Sequence, residues 1–191
     1  SLRILVGGVD LRFASDGSKG GNAGVVGRDA PFSNEPRGAR KYSLAGHWPE
    51  VVRSFQDATV LVTGASSGIG EAFVRNLAGR GANLILVARS ADKLEQLAQT
   101  LSQQHNVRID CFPLDLTVAD SPETLFEQVN SVNLSVDVLV NNAGIGYWGN
   151  FTEGELRNFQ QMIDLNVRAV VSLSHLFLPT MIQRRNGGII N

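Results

Sequence analysis

The chain has 191 residues, 18% of them charged, and a formal net charge of −1 at pH 7, which gives no support for a nucleic-acid-binding surface. No apolar run reaches the roughly 18 residues that a membrane-spanning helix needs, so no membrane span is expected. The three histidines are scattered and have no cysteine cluster beside them, so no metal site is expected. Cys111 is the single cysteine, which favours a reducing, cytoplasmic location.

Residues 1–57 differ in composition and residue pattern from the rest of the chain. Glycines recur between Gly7 and Gly38 among Ser, Asn, Asp and Arg, and the alternating stretches "LRILV" and "VDLRF" are short and isolated. Such a segment buries too little apolar surface to offset the entropy lost on ordering. We therefore predict a flexible, glycine-rich extension, with a targeting or partner-binding arm as the alternative.

The remaining residues alternate between strand and helix patterns. "ATVLVT" predicts a buried strand, and the next segment has Ile69, Phe73 and Leu77 at helical spacing with Gly81 as a C-cap. "NLILVAR" predicts a second strand. "SADKLEQLAQTLSQQ" then predicts an amphipathic helix whose N-cap is Ser90.

The alternation continues to the last residue of the sequence. "VRIDCFPLD" predicts a third strand, and the helix after it is expected to begin with Ser121 as N-cap and Pro122 at the first helical position. "VDVLVN" predicts a fourth strand, followed by a long helix from about Glu153 to about Arg185 that Pro179 should kink. The final "GGII" is typical of the start of a fifth strand. The pattern predicts an α/β fold with a doubly wound, parallel, Rossmann-like sheet that ends at the start of this strand.

A glycine-rich loop, "VTGASSGIG", joins the first strand directly to the first helix. Gly64, Gly68 and Gly70 have the spacing that a tight turn, a close approach to a pyrophosphate and close helix packing require. Free N–H groups at the helix start attract the anion, and Ser66 and Ser67 add hydroxyl donors. Placed between a strand and an amphipathic helix, this loop predicts a dinucleotide phosphate site.

Four motifs together resemble those of the short-chain dehydrogenase/reductase family. They are "TGASSGIG" in the first loop, "LDLT" at 114–117, "NNAG" at 141–144 and "DLNV" at 164–167. The resemblance covers residues 58–191 and nothing before them. It implies an NADP-binding domain of an oxidoreductase that transfers hydride between the cofactor and a small carbonyl or alcohol substrate.

The resemblance also implies roles for individual residues. The implied cofactor-binding residues are Gly64, Ser66, Ser67, Gly68, Ile69, Gly70, Asp115, Leu116, Asn142, Ala143 and Gly144. Asn166 is implied to be catalytic, because the matching family residue interrupts a helix and holds a water in the proton relay. Asn141 is implied to be a scaffold residue, and Asp115 has a turn-forming or helix-capping role as its alternative.

The end of the second strand indicates the cofactor type. An NAD site places a carboxylate there for the ribose 2′-OH, but this chain has Ala88 followed by Arg89. Arginine is always charged and can bind a 2′-phosphate with two hydrogen bonds, so we predict NADP rather than NAD. The alternative is that Arg89 is a solvated residue at a strand end.

The family's remaining catalytic groups, a Ser and a Tyr-x-x-x-Lys, are not matched in this sequence. Neither Tyr42 nor Tyr147 has a Lys four positions later. We therefore expect a truncated oxidoreductase that is inactive as residues 1–191, or alternatively a non-catalytic dinucleotide-binding, regulatory module.

Two further features concern the substrate and subunit contacts. Tyr147, Trp148 and Phe151 follow the fourth strand and either line a substrate pocket or pack the loop. The helix near residues 155–185 resembles the one used for subunit contact in the family, which predicts a homo-oligomer.

Overall fold

The structure, a computed structural model, describes residues 3–6, 9–12 and 54–191. The chain forms two compact units, Ser1–Trp48 and Pro49–Asn191. In the first unit, β1 (Arg3–Val6) and β2 (Val9–Arg12) pair as an antiparallel hairpin, whereas the sequence indicated two isolated stretches. Apart from these strands and a few residues before 58, the predicted flexible extension lies outside the described residues.

The second unit contains one sheet with helices between its strands. Its elements are β3 (Thr59–Thr63), α1 (Gly68–Ala78), β4 (Asn83–Ala88), α2 (Ala91–His105), β5 (Ile109–Pro113), α3 (Ser121–Ser131), β6 (Val138–Val140), a 3-10 turn (Phe151–Glu153), α4 (Leu156–Ile163), a π-helix (Asp164–Ala169), α5 (Val170–Arg184) and β7 (Gly188–Ile190). The strand order is β5-β4-β3-β6-β7, and every pairing is parallel. The predicted doubly wound, Rossmann-like sheet is confirmed.

The strand order places a ligand crevice at the centre of the sheet. From β3 the chain builds outward to β4 and β5 on one side, and it then returns to add β6 and β7 on the other. Where the direction of winding reverses, the loops after the two central strands diverge and leave a crevice at their carboxyl ends. The loops that follow β3 and β6 are those that carry the glycine-rich and "NNAG" motifs.

The core lies on both faces of the sheet, because the central strands are buried along nearly their whole length. On one face, Leu61, Ile85 and Leu139 belong to a buried cluster with residues of α3 and α5. Side chains alternate along a strand, so Val60 and Leu86, which are fully buried, face the other side. That side is covered by the apolar faces of α1 and α2.

The observed helix ends differ from the predicted ones by one or two residues. α1 ends at Ala78 with Gly79 as its C-cap, while Gly81 (φ +79°) comes two residues later and donates its N–H to the Ala78 carbonyl. Ser90 occupies the predicted N-cap position of α2 without a side-chain capping bond. In α3 the N-cap is Asp120, because Ser121 is already helical.

The predicted long helix is a composite that runs from Leu156 to Arg184. Pro179 lies within α5, as predicted, and the composite helix contains a further irregularity, the π-helix Asp164–Ala169. Within residues 54–191, this helix alone is long and apolar enough to span a membrane, with a mean hydropathy of 1.3. Only 22% of its most apolar stretch is buried, and Leu173, Phe177 and Met181 are the residues of α5 that pack in the core cluster.

Candidate cofactor-binding site

The loop between β3 and α1 has the geometry expected of a phosphate-binding turn. α1 begins at Gly68 directly after the loop, so the N–H groups of its first turn have no partner within the helix. Ser67 stands at the N-cap position without a side-chain capping bond, and its side chain is exposed. Backbone donors, a free hydroxyl and the positive end of the helix dipole therefore meet at one point, where they favour an anion.

Two of the three glycines are required by close contacts between backbones. Gly64 has a φ of +67°, and a Cβ added there would lie 2.9 Å from the Ala143 Cα. A Cβ added at Gly70 would overlap the Gly64 carbonyl oxygen and lie 2.5 Å from Asn142 Nδ2. The loop after β6 can therefore approach the phosphate loop only because both positions lack a side chain.

Thr63, at the end of β3, connects these two loops. Its hydroxyl is buried and accepts hydrogen bonds from the N–H groups of Asn142 (3.0 Å) and Ala143 (2.9 Å). It donates in turn to the Val140 carbonyl at 3.2 Å. The Asn142 amide adds a bond of 2.9 Å to the Thr63 carbonyl. Sequence reasoning missed this role because the partners lie 77 to 80 positions further along the chain.

Asp115, after β5, forms a compact turn at the other wall of the crevice. Its Oδ1 accepts hydrogen bonds from the backbone N–H (3.0 Å) and the hydroxyl (2.8 Å) of Thr117. Burial raises the pKa of Asp115, but these bonds and the charge of Arg89 outweigh it and hold the pKa below its ordinary value. The turn-forming role considered for Asp115 is present, and the residue lines the crevice as well.

The end of β4 brings two cations to the crevice. Arg89 is exposed and makes no hydrogen bond or ion pair within residues 54–191, although its charge acts on Asp115. Lys93, in the first turn of α2, lines the same crevice. Sequence reasoning missed Lys93, although its position four residues after Arg89 at a helix start was a usable signal. No carboxylate occupies the strand end, because that position is Ala88.

Asn166 lies in the π-helix, in agreement with the local helix interruption that the family resemblance implied. Its Nδ2 donates to the Ile145 carbonyl at 2.8 Å, and its Oδ1 accepts from the Ile145 N–H at 3.0 Å. Both ends of the amide are thus engaged with the loop after β6. The side chain fixes this loop and does not itself line the crevice.

The crevice brings together most of the residues that the sequence singled out. It has a volume of about 470 Å³, within the range of small-molecule sites. The predicted residues that line it are Gly64, Ser66, Ser67, Ile69, Arg89, Asp115, Leu116, Asn142, Ala143 and Gly144. The lining residues that sequence reasoning missed are Val87, Ala88, Ser90, Lys93, Leu114, Thr117, Ile145, Gln161 and Leu165.

Some predicted residues are placed differently from the expectation. Gly68 and Gly70 shape the loop behind the crevice and do not line it. Ile69, predicted on the buried face of α1, is 61% exposed, because the first helical turn points towards the crevice. Leu116 packs most of its side chain into the core cluster, so little of it is left to contact a ligand.

The aromatic loop after β6 separates into packed and exposed residues. Tyr147 and Phe151 contact Phe159 of α4, with ring centroids 5.2 and 4.7 Å apart. Trp148 is 98% exposed and packs against neither. The loop-packing alternative therefore applies to Tyr147 and Phe151, and none of the three lines the crevice.

The chemistry available in the crevice is anion binding and positioning. Asp115 is the one carboxylate that lines it, and its pKa is lowered, so at neutral pH it is charged and cannot donate a proton. Among residues 54–191, no three His, Cys, Asp or Glu side chains form a group able to hold a metal ion. Backbone donors, hydroxyls and two cations suit an elongated phosphate-containing ligand.

The family model described as short chain dehydrogenase matches residues 58–191. The chain belongs to the short-chain dehydrogenase family. A family member from Mus musculus, dehydrogenase/reductase SDR family member 7, is 39% identical over 137 residues, which cover 70% of this chain and 40% of that protein. An uncharacterized oxidoreductase from Staphylococcus saprophyticus is 31% identical and covers 71% of this chain and 58% of its own length. The chain thus spans about half the length of the curated relatives it matches.

Solved structures agree with this assignment. L-sorbose reductase from Gluconobacter frateurii, complexed with NADPH and L-sorbose, has a TM-score of 0.67 and 33% identity, over 71% of this chain and 52% of that one. A metagenomic short-chain oxidoreductase in complex with NADP has a TM-score of 0.68 and 32% identity, over 72% and 63% of the two chains. Both sequence identities are high enough that the similarity extends beyond the fold.

Proposed function

We propose that this chain binds NADP(H) as the nucleotide-binding part of an oxidoreductase that acts on a small carbonyl or alcohol compound. The observation that carries the proposal is the open N-terminus of α1 behind the glycine-rich loop, with Arg89 beside it at the end of β4. When bound, the cofactor supplies or accepts hydride at its nicotinamide ring. The protein supplies binding, orientation and exclusion of water.

The diphosphate is assigned to the first turn of α1, and Ser66 and Ser67 donate to it from the loop. The 2′-phosphate is assigned to Arg89, whose planar guanidinium can bind it with two parallel hydrogen bonds. Lys93 adds a second positive charge one turn into α2. Preference for NADP over NAD is supported by these two cations, by the absence of a carboxylate at Ala88, and by the NADPH and NADP held in the similar structures.

Thermal unfolding of the full 191-residue chain tests the proposal. A ligand present at 100 times its Kd stabilises the folded state by about 2.7 kcal/mol, and this raises the Tm of a domain of this size by roughly 5–10 °C. We expect a shift of that size with NADPH, a smaller one with NADH, and none with adenosine. Equal Tm shifts with NADPH and NADH would contradict the proposed role of Arg89. The absence of a Tm shift with both cofactors would contradict the proposed function.

Catalysis by residues 1–191 alone is not expected. Asn166 is assigned to the proton-relay side of the site, where the π-helix holds it against Ile145. The sequence has no Tyr-x-x-x-Lys, the motif whose Tyr would donate the proton and whose Lys would lower the pKa of that Tyr. We expect no oxidation of NADPH above background with aldehydes and ketones, measured by absorbance. Robust turnover would show that another group supplies the proton.

A second candidate is a non-catalytic, dinucleotide-binding module. It is favoured by one observation: residues 58–191 contain every predicted cofactor contact, while Asp115, the one carboxylate that lines the crevice, is charged at neutral pH. Such a module must be monodisperse and bind NADPH tightly without turnover. Size-exclusion chromatography with a NADPH titration distinguishes this module from a part of a larger oxidoreductase. An aggregating or loosely packed chain would contradict the module.

We also propose that a second copy of the chain packs on the composite helix. Its outward face has exposed apolar residues at helical spacing, namely Leu156, Ile163, Val167, Val171, Leu178 and Ile182. A lysine at Val171 would place a charge in the middle of this face. We expect light scattering to show a dimer or larger assembly that the V171K variant loses, and a monomeric wild-type chain would contradict the assembly.

We propose that the chain is located in the cytoplasm and has no membrane span. This proposal is supported by the burial of Leu173, Phe177 and Met181 on the inner face of the same helix, and by the thiol state expected of a lone cysteine. Fractionation of cells that express a tagged chain should recover it without detergent. Recovery only in the detergent fraction would contradict this proposal.

A further inference from the structure

The π-helix Asp164–Ala169 contacts two separate loops that line the cofactor crevice. On one side, Asn166 holds the backbone of Ile145 through two hydrogen bonds. On the other side, Arg168 donates from Nη2 to the Thr117 carbonyl at 2.8 Å. Both Ile145 and Thr117 line the crevice. The π-helix is therefore the element that is bonded to both walls.

Arg168 makes this connection through a forked contact. Besides the bond to Thr117, its Nε donates to Asp164 Oδ1 at 3.1 Å, which orients the guanidinium from within the π-helix. The side chain is only 32% exposed. A charged donor aimed at a carbonyl makes a stronger hydrogen bond than a neutral one. The contact therefore fixes the Thr117 carbonyl relative to Asp164.

The Thr117 carbonyl belongs to a turn that is itself rigidly built. Asp115 accepts two hydrogen bonds from Thr117, and Leu116 between them is buried in the same core cluster as Ala169. The turn is thus held to the π-helix by packing on one side and by Arg168 on the other. A shift of the guanidinium would move Asp115 and Thr117 together.

We propose that Arg168 is a positioning residue for the cofactor. It fixes the Asp115–Thr117 turn against the π-helix that carries Asn166, and so sets the separation of the two crevice walls. The inference rests on the proposed binding of NADP(H), which it deepens by adding a residue that does not itself line the crevice.

The chain offers a matched control in Arg184, on the same composite helix. Arg184 Nη2 donates to the Val136 carbonyl at 2.7 Å and lies 3.5 Å from Asp137 Oδ1, and its side chain is 33% exposed. Each arginine thus has one carbonyl and one carboxylate partner and a similar exposure, although the Arg184–Asp137 contact is an ion pair and not a hydrogen bond. Val136 precedes β6, at the amino end of the strands and away from the crevice. Loss of either arginine should lower stability, but only loss of Arg168 should disturb cofactor binding.

The experiment compares R168M with R184M in the full chain, by urea unfolding and by fluorescence titration with NADPH. We expect similar falls in unfolding midpoint. We expect the Kd for NADPH to rise about five- to twentyfold in R168M, as for loss of one charged hydrogen bond, and less than twofold in R184M. An unchanged Kd in R168M, or an equal rise in both variants, would overturn the inference.

Two additions keep the test decisive. If R168M does not fold, R168K and R184K take the place of the first pair, because lysine keeps the charge but lacks the planar guanidinium. The same difference between the two sites is expected, and equal effects would again overturn the proposal. Second, N166A and the double variant R168M/N166A should show non-additive losses of NADPH affinity. Additive losses would mean that no bridge exists.

If the wild-type chain fails to bind NADPH, the proposed function fails, and this inference falls with it. If the wild type binds and R168M binds equally well, the function stands and the inference alone is overturned. The two failures are therefore distinguished by the wild-type titration.

Discussion

Replacing Thr63 with valine tests how the two cofactor loops are held together. Valine keeps the branched shape of threonine and removes only the hydroxyl, which accepts from the N–H groups of Asn142 and Ala143 and donates to the Val140 carbonyl. The Asn142 N–H and the Val140 carbonyl also bond each other at 3.0 Å. The Ala143 N–H has no acceptor besides the hydroxyl within residues 54–191.

The expected cost follows from this distribution of partners. One partly buried N–H left without an acceptor costs about 1–3 kcal/mol. The other lost contacts add about 1 kcal/mol, and the new buried methyl group offsets about 0.8 kcal/mol. We therefore expect T63V to lower the free energy of unfolding by about 1–3 kcal/mol, and the urea midpoint by roughly 0.5–1.5 M at an ordinary urea dependence.

The assay combines urea unfolding with NADPH titration, because the same loop lines the cofactor crevice. We expect the Kd for NADPH to rise about tenfold, since Ala143 and Gly144 lose their anchor. T100V is the control: the Thr100 hydroxyl is exposed and bonds only the Gln96 carbonyl in its own helix at 2.8 Å, so a change below about 0.5 kcal/mol is expected. A T63V variant as stable as T100V would refute the reasoning.

Three further predictions concern the site and the thiol. Asp115 has a lowered pKa when folded, so its charge contributes stability that is fully present above its unfolded pKa, about 3.9, and is lost as pH falls through the folded pKa. D115N should therefore be less stable than wild type at pH 7, and the difference should shrink as pH falls below about 3.9. A constant difference in urea midpoint would contradict this. Burial, assisted by the charges of Glu95 and Asp110, raises the pKa of the Cys111 thiol. Its reaction with a disulfide reagent at pH 7.5 should therefore be slower than that of a free thiol, and it should accelerate in urea. Equal rates for Cys111 in the folded chain and for a free thiol would contradict this prediction. In G70A the new methyl group meets backbone of the phosphate loop, so stability should fall by about 1–3 kcal/mol, and an unchanged melting curve would contradict the close approach.

The sheet and the phosphate loop were predictable because their signals are local. Runs of Val and Leu buried on both faces, each followed by a helical period, are typical of parallel strands, and the glycines lie in one short segment. The fifth strand was predicted from "GGII" and does pair with β6 over Val138–Val140. Its three residues, Gly188–Ile190, each pair with one residue of β6.

The ends and irregularities of the helices were less predictable. Gly79, not Gly81, caps α1 because the chain keeps helical geometry for one more residue (φ −64°) before the left-handed glycine. The π-helix leaves no mark in the apolar pattern, and the bonds that Asn166 makes from it reach a loop 21 positions earlier in the chain. Pro179 was predicted to lie inside the long helix, and α5 does continue past it to Arg184.

The positioning residues of the site were invisible for the same reason. Thr63 bonds to partners 77 to 80 positions away, and Arg168 bonds to a partner 51 positions away. Their roles therefore exist only after the fold has formed. The crevice residues from the four motifs were predictable by resemblance. Gln161 was not, because no motif includes it and it reaches the crevice only through the placement of α4.

The most direct test of the central claim is an equilibrium titration of NADPH and of NADH against the wild-type chain and against R89S. Serine removes the charged fork that we assign to the 2′-phosphate and adds no new charge. We predict that the wild type binds NADPH at least tenfold more tightly than NADH, and that R89S loses this difference by weakening NADPH alone. Equal affinities in the wild type, or an unchanged preference in R89S, would contradict the account.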